Sequence, residues 1–414
     1  MIRTDALNSF VSSAATRRGR ERLSLASIPS SAYSFIDFTK ANNPRLVSAI
    51  GTNLGSVVLD RVATTNSGRE PGVINRSGNL YFPASGEARY EYVNGKCFGL
   101  RISSGTTNYL ANTLTFGTSG QTWNWVQTNM TGAGTLNAIG PDGATSAVTL
   151  TATGANATIL QNRGALGVVG TRRVSVWLRR VSGSGDIELT YNPAGGYTKV
   201  TLTSSWTRFS ISAASGSANS GIRIATSGNV IEAAFPMVEI TTNPVPSDET
   251  VGNGSCVSAG EQLTAFPVWN PNQGLTVICS VNMTTRGQDA SSYVNMAIDD
   301  GADNFVLGSI SRNPLDAFDD LGTWDSTSST WGSAEQIDVT QNRINSIRTL
   351  GISLKSGVAL VSENGVGAQL VDNVDFPWNS DMYFSLNANH ISVRSLLFIN
   401  SFSNQTYLDK LTLG

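Results

Sequence analysis

From Trp123 to Ile224 the chain repeats one device: a short run in which apolar and polar residues alternate, closed by Gly, Asn, Ser or Pro. The runs include Ala147-Val148-Thr149-Leu150, Ala157-Thr158-Ile159-Leu160, Val174-Ser175-Val176-Trp177-Leu178, Ile187-Glu188-Leu189, Trp206-Thr207-Arg208-Phe209 and Gly221-Ile222-Arg223-Ile224. Alternation with period two suits a strand buried on one face, and turn residues roughly every ten to fifteen positions predict an antiparallel sandwich. The specific expectation is a jelly roll.

Composition agrees. Charged residues are 14% of the 414, Gly numbers 41, and long solvated helices are not expected. The length predicts more than one core. A formal net charge of −2 argues against general attraction to nucleic acid or anionic membrane. No window reaches the roughly 20 apolar residues of a membrane span, and Met1 to Ala15 lacks the order of a secretory signal, so a soluble, unprocessed chain is expected. Cys97, Cys256 and Cys279 are odd in number and widely spaced, which predicts small buried hydrophobes and neither a disulfide framework nor a metal knuckle.

Upstream, Leu7, Phe10, Val11, Ala14 and Ala15 recur at helical spacing before Arg17, Arg18, Arg20 and Arg22, which reads as a short helix or docking arm, or as a frayed terminus. Short runs at Phe35-Ile36-Asp37-Phe38, Val57-Val58-Leu59-Asp60 and Gly72 to Phe82 suggest an irregular β module. It ends in a hairpin: Tyr90 and Tyr92 alternate with Arg89 and Glu91, Asn94-Gly95 supplies a two-residue turn, and Cys97 to Ile102 returns.

After Ala234 to Glu239, Pro244 and Pro246 mark a linker, and strands resume at Leu275 to Val281. Arg348 to Leu354 and Val358 to Ser362 form a predicted hairpin around Ser356-Gly357, with late strands at Asp381 to Leu386 and Ile391 to Ile399. The fold class expected is thus all-β: an irregular N-terminal module, two antiparallel sandwiches, and a short N-terminal helix or arm.

The order Arg89-x-x-Tyr92, turn, Gly99-Leu100-x-Ile102, Thr107-Asn108-x-Leu110 resembles a segment of tailed-phage virion structural proteins, of tail fibre, spike or head decoration type, where it precedes a carbohydrate-binding-module-like sandwich. Ser103-Ser104-Gly105 departs from it, since acidic or amide residues are common there. The C-terminal order, with Asn364-Gly365 between strands, Arg394-x-Leu396-x-Phe398 and a closing helix ending in Leu, resembles a concanavalin A-like or laminin G-like sandwich. These resemblances imply five parts: a docking arm at 1–34, the irregular module and hairpin junction at 35–112, a carbohydrate-binding-module-like jelly roll at 113–243, a linker at 244–256, and the second sandwich at 257–414.

They also imply a non-enzymatic virion component that docks by its N-terminal part, through Phe10, Arg17, Arg18, Arg20 and Arg22, and displays sandwiches for adhesion to host-surface glycan. Its partners would be capsid, portal or tail proteins and copies of itself, a trimer favoured, with no nucleic acid and no membrane insertion. It would be made in the host cytoplasm and reside in the virion, on the capsid surface or tail. A purely structural virion protein and a glycan depolymerase or hydrolase are the alternatives.

Indole faces stack on sugar rings, so Trp324 and Trp331, in a Ser/Thr/Gly/Asp loop, and Trp123 and Trp125, flanking Asn124, are the candidate glycan contacts. Trp177 and Trp206 are expected in the core. No cofactor is expected; Asp299, Asp300 and Asp303 are the candidates for calcium, weighed against ordinary solvated turns. His390 is the sole histidine and no Gly-x-Ser-x-Gly elbow accompanies it, which leaves no candidate catalytic residue.

Overall fold

The computed structural model describes residues 33–38, 54–61, 71–84, 87–102, 106–117, 124–162, 171–213, 219–240, 256–258, 261–267, 273–282, 293–299, 305–311, 318–325, 330–331, 335–338, 347–355, 358–363, 366–370, 383–388, 391–399 and 401–413. As the alternation predicts, the regular structure among the described residues is nearly all strand, in antiparallel sheets, with a short α-helix at Gln405–Leu413.

Two sheets share one core and draw on both ends of the chain. The first runs Val366–Leu370, Val358–Glu363, Ile347–Lys355, Leu275–Asn282, Ile391–Ile399, Lys96–Ile102, Tyr90–Val93, with Tyr33–Asp37 also on Ile391–Ile399. The second runs Leu54–Arg61, Glu261–Pro267, Tyr383–Ala388, Tyr293–Asp299, Phe305–Ser311, Phe318–Asp325, Thr330–Trp331, with Glu335–Asp338 also on Phe318–Asp325. Val277, Val281, Ile352 and Leu396 of the first meet Leu263, Met296, Ile298 and Leu386 of the second. Phe398 and Phe384 meet edge to face across the layer, their ring centroids 5.4 Å apart. Leu408 of the helix seats on Ile278 and Leu360, shielding the outer side of the first sheet.

Strand pairing therefore crosses the boundary drawn from sequence between 35–112 and 257–414. Ile391–Ile399 takes Tyr33–Asp37 along Ser395 to Ile399 and Leu100 to Ile102 along Ile391 to Val393. Leu54–Arg61 likewise pairs with Glu261–Pro267. The predicted hairpin forms, with Asn94 and Gly95 both at positive φ, but as the edge of this sheet. Backbone hydrogen bonds carry no sequence address, so the local pattern specifies each strand without specifying its neighbour.

The second sandwich lies between these halves in sequence. Its six-stranded sheet runs Ala138–Ile139, Thr145–Ala152, Val230–Ile240, Arg172–Ser182, Thr207–Ala213, with Met130–Thr131 also on Thr145–Ala152. Its five-stranded sheet runs Thr198–Val200, Ile187–Thr190, Asn219–Ile224, Ala157–Asn162, Trp125–Thr128. Val148, Leu150, Val174, Val176 and Leu178 pack on Ile159, Ile187, Leu189, Ile222 and Ile224 between the sheets. Leu80, with Ile74 and Phe82, covers Ala147, Ala234 and Phe235 on the outer side of the six-stranded sheet, so the 71–84 stretch belongs with this sandwich in packing.

The chain enters and leaves side by side, Thr106–Asn108 pairing with Cys256–Ser258. Buried Asn108 donates to Pro236 O at 3.1 Å and accepts from Val238 N at 3.0 Å and Leu110 N at 3.0 Å. Gln161 does the same for Ala111, accepting from its N–H and donating to its carbonyl, each at 2.8 Å. The Thr-Asn-x-Leu segment is thus a clamp: side-chain amides substitute for a missing strand partner.

Candidate functional site

Alternation along Arg172–Ser182 sends Val174, Val176 and Leu178 inward, which puts Ser175, Trp177 and Arg179 on the outer face. Register carries a polar row across that face. Thr149 pairs with Glu232, Glu232 with Arg179, and Leu178 with Thr207, so Trp206 comes abreast of Arg179.

The row is a built arrangement. Arg179 Nε donates to the Glu232 carboxylate, and the guanidinium lies over the Trp206 ring at 4.9 Å from its centroid. Trp206 is half-buried, and its Nε1 donates to Ile139 O at 3.1 Å, which fixes the ring plane. The Arg179 and Glu232 side chains are 30% and 13% exposed, so solvent reaches the pair. Among the described residues, Arg179 Nη1 and Nη2 and Glu232 Oε1 make no hydrogen bond, which leaves adjacent donors and an acceptor beside an aromatic surface. Trp177, also half-buried, continues the face beside Arg208.

The tryptophans expected at a glycan are placed otherwise. Trp125 is core: it is 2% exposed, packs on Phe116 at 4.7 Å, and its Nε1 donates to Ala111 O at 3.1 Å. A ring closed off from solvent, with its polar atom engaged inside the protein, offers nothing to a ligand. Asn124 beside it is half-buried, and its Oδ1 has no hydrogen-bond partner among the described residues. Trp123 lies outside the described residues.

Trp324 and Trp331 stand in strands, where a loop was expected, and are direct partners in register at the end of their sheet. Asp299 ends the strand Tyr293–Asp299, and Asp300 and Asp303 lie outside the described residues, as do Phe10, Arg17, Arg18, Arg20 and Arg22. Among the described residues there is no group of three or more His, Cys, Asp or Glu arranged for a metal, and no helix is long and apolar enough to cross a membrane.

Trp177 and Trp206, expected in the core, are half-buried on the outer face, packed against the smaller cluster of Leu80, Ala138, Ala147, Ala234 and Phe235 and outside the core between the sheets. The signal was present in the alternation itself: Trp177 shares a parity with Ser175 and Arg179, opposite to Val174, Val176 and Leu178.

No protein-family model matches the chain, and no curated protein matches it. Among solved structures it is similar to galectin LEC-6 of Caenorhabditis elegans, at 14% identity and TM-score 0.26, over 38% of this chain and 98% of that one. It is similar also to the CBM2 module of the evolved Dit of Lactobacillus casei BL23 phage J-1, at 11% identity and TM-score 0.28, over 40% and 79%. A third is the Crh5 transglycosylase in complex with NAG, at 10% identity and TM-score 0.27, over 40% and 84%. At such TM-scores none of these likenesses carries a functional conclusion.

Proposed function

We propose that this chain binds glycan without transforming it, through the outer face of the six-stranded sheet in the inserted sandwich. The observation that carries the reading is the Trp206, Arg179, Glu232 row, because a saccharide needs those chemistries side by side. Sugar C–H faces stack on indole, while hydroxyls take up guanidinium donors and carboxylate acceptors. Glu232 is tied to Arg179, which suits holding a ligand and does not supply the two opposed carboxylates of glycoside hydrolysis.

The finer reading is adhesion from a tailed-phage particle, as a fibre, spike or decoration component assembled as a homo-oligomer. Support for it comes from the order of motifs between Arg89 and Leu110. Labelling this chain on intact particles tests the placement, and sedimentation tests the assembly.

Binding itself is tested with purified full chain on immobilised host-surface polysaccharide. Trp206→Ala is expected to lower retention by about tenfold with an unchanged circular dichroism spectrum. Equal retention of the variant and the wild type would remove Trp206 from the site, and no retention of either would sink the adhesion reading.

A further inference from the structure

We infer that the inserted sandwich carries a second saccharide site on its opposite face, at Tyr197, Arg223 and Glu188, which makes the module bivalent for neutral glycans. This rests on the glycan reading above.

The five-stranded sheet repeats the arrangement of the six-stranded one with different residues. Its outer row runs Thr128, Thr158, Arg223, Glu188, Lys199 in register across all five strands. Arg223 Nε donates to the Glu188 carboxylate, and the guanidinium lies over the Tyr197 ring at 3.7 Å from its centroid. That hydrogen bond raises the Arg223 pKa further, so its charge is fixed. Tyr197 is half-buried, and the Arg223 and Glu188 side chains are 27% and 15% exposed, against 30% and 13% for Arg179 and Glu232.

Both constellations therefore combine a half-exposed aromatic ring, an arginine stacked on it, and a glutamate from the neighbouring strand bound through Nε. Binding through Nε keeps both Nη groups of the arginine and one oxygen of the glutamate turned to other partners. Among the described residues none of these atoms makes a hydrogen bond in either constellation. A donor and an acceptor set next to each other match two vicinal hydroxyls, one accepting from Nη and the next donating to the carboxylate.

Charge narrows the class. Arg179 with Glu232, Arg223 with Glu188, and Lys199 with Asp186 at 2.6 Å each close to neutrality. The glutamate repels a uronate or phosphate, whereas a neutral hexose donates a hydroxyl to it without that repulsion. The two rows lie on opposite outer faces, since the sheets bury their inner faces against each other. One module can thus hold two glycan chains, and avidity on a dense surface follows without tight binding at either face.

Titration calorimetry of the full chain with neutral hexasaccharides of glucose, galactose and mannose tests this. The expected result is two equivalents bound by the wild type and one by either Trp206→Ala or Tyr197→Ala. The double variant is expected to bind none, with the circular dichroism spectrum kept throughout. Glu232→Gln and Glu188→Gln, which preserve shape, are expected to weaken their own site by about tenfold and leave the other unchanged. A wild type with one equivalent, lost in Trp206→Ala and kept in Tyr197→Ala, overturns the second site and leaves the first standing. A wild type that binds no member of the panel, on a particle surface or free, removes both.

Discussion

Gly99 lies so close to the Val393 carbonyl of the neighbouring strand that a Cβ at position 99 would collide with it. Its φ of 143° is one that L side chains rarely adopt, at a register shift between Glu91 and Tyr92. Gly99→Ala adds steric overlap to backbone strain, and the expected loss is about 2 to 5 kcal/mol. Urea unfolding of the two proteins measures it; an unshifted midpoint would mean the strands do not approach as described.

Asn108 holds Pro236, Val238 and Leu110 at the base of the inserted sandwich. Asn108→Ala leaves buried amide groups without partners, at about 1–3 kcal/mol for each unsatisfied group. Thermal unfolding should show the loss, with exchange protection falling first at Val238 and Leu110. Protection lost elsewhere but retained at these two amides would contradict the clamp.

Trp125 and Trp206 are expected to separate stability from binding. Trp125→Ala empties a packed position and should cost about 3–5 kcal/mol. Trp206→Ala removes a half-buried ring and should cost far less stability while weakening glycan retention. Reversal of the two effects in paired melting and binding measurements would exchange their roles.

Burial raises the Tyr90 phenol above its ordinary value of 10.0, and burial with the Glu87 hydrogen bond raises Tyr81. A raised folded pKa favours the neutral phenol, so the associated stability is complete below about pH 10. It is lost as pH climbs from there through the higher folded values. Tyr90→Phe should flatten the fall in unfolding free energy above pH 10. A wild type whose tyrosinate absorbance rises fully at pH 10 would show that Tyr90 is open to solvent.

Burial likewise pushes the Cys279 thiol up, keeping it from the reactive thiolate at neutral pH. Cys279 is expected to resist a disulfide reagent in the native protein and to react on denaturation. Mass spectrometry of the peptide reads the difference, and rapid native labelling would place Cys279 at the surface.

Local pattern was enough for the long strands of the inserted sandwich, for the Asn94-Gly95 turn and for the Lys355 to Val358 reversal, because side-chain parity and turn chemistry act within a few residues. The same parity separated Trp177 from Val174, Val176 and Leu178. It did not say which tryptophans face the core: Trp125 is buried only because Phe116 and Ala111 are folded over it, and both contacts lie outside its own strand.

Residue alternation along the chain is enough for the all-β character and for the two-faced strands that make a sandwich. Packing between distant segments makes Tyr33–Asp37 and Lys96–Ile102 complete a sheet with Ile391–Ile399, and leaves the other sandwich inserted between them in the chain. It also set Trp206, Arg179 and Glu232 in one row, and Tyr197, Arg223 and Glu188 in another. The physical reason is common to both: a strand's edge offers the same amides and carbonyls to any partner, so neighbours are chosen by the packing of whole faces.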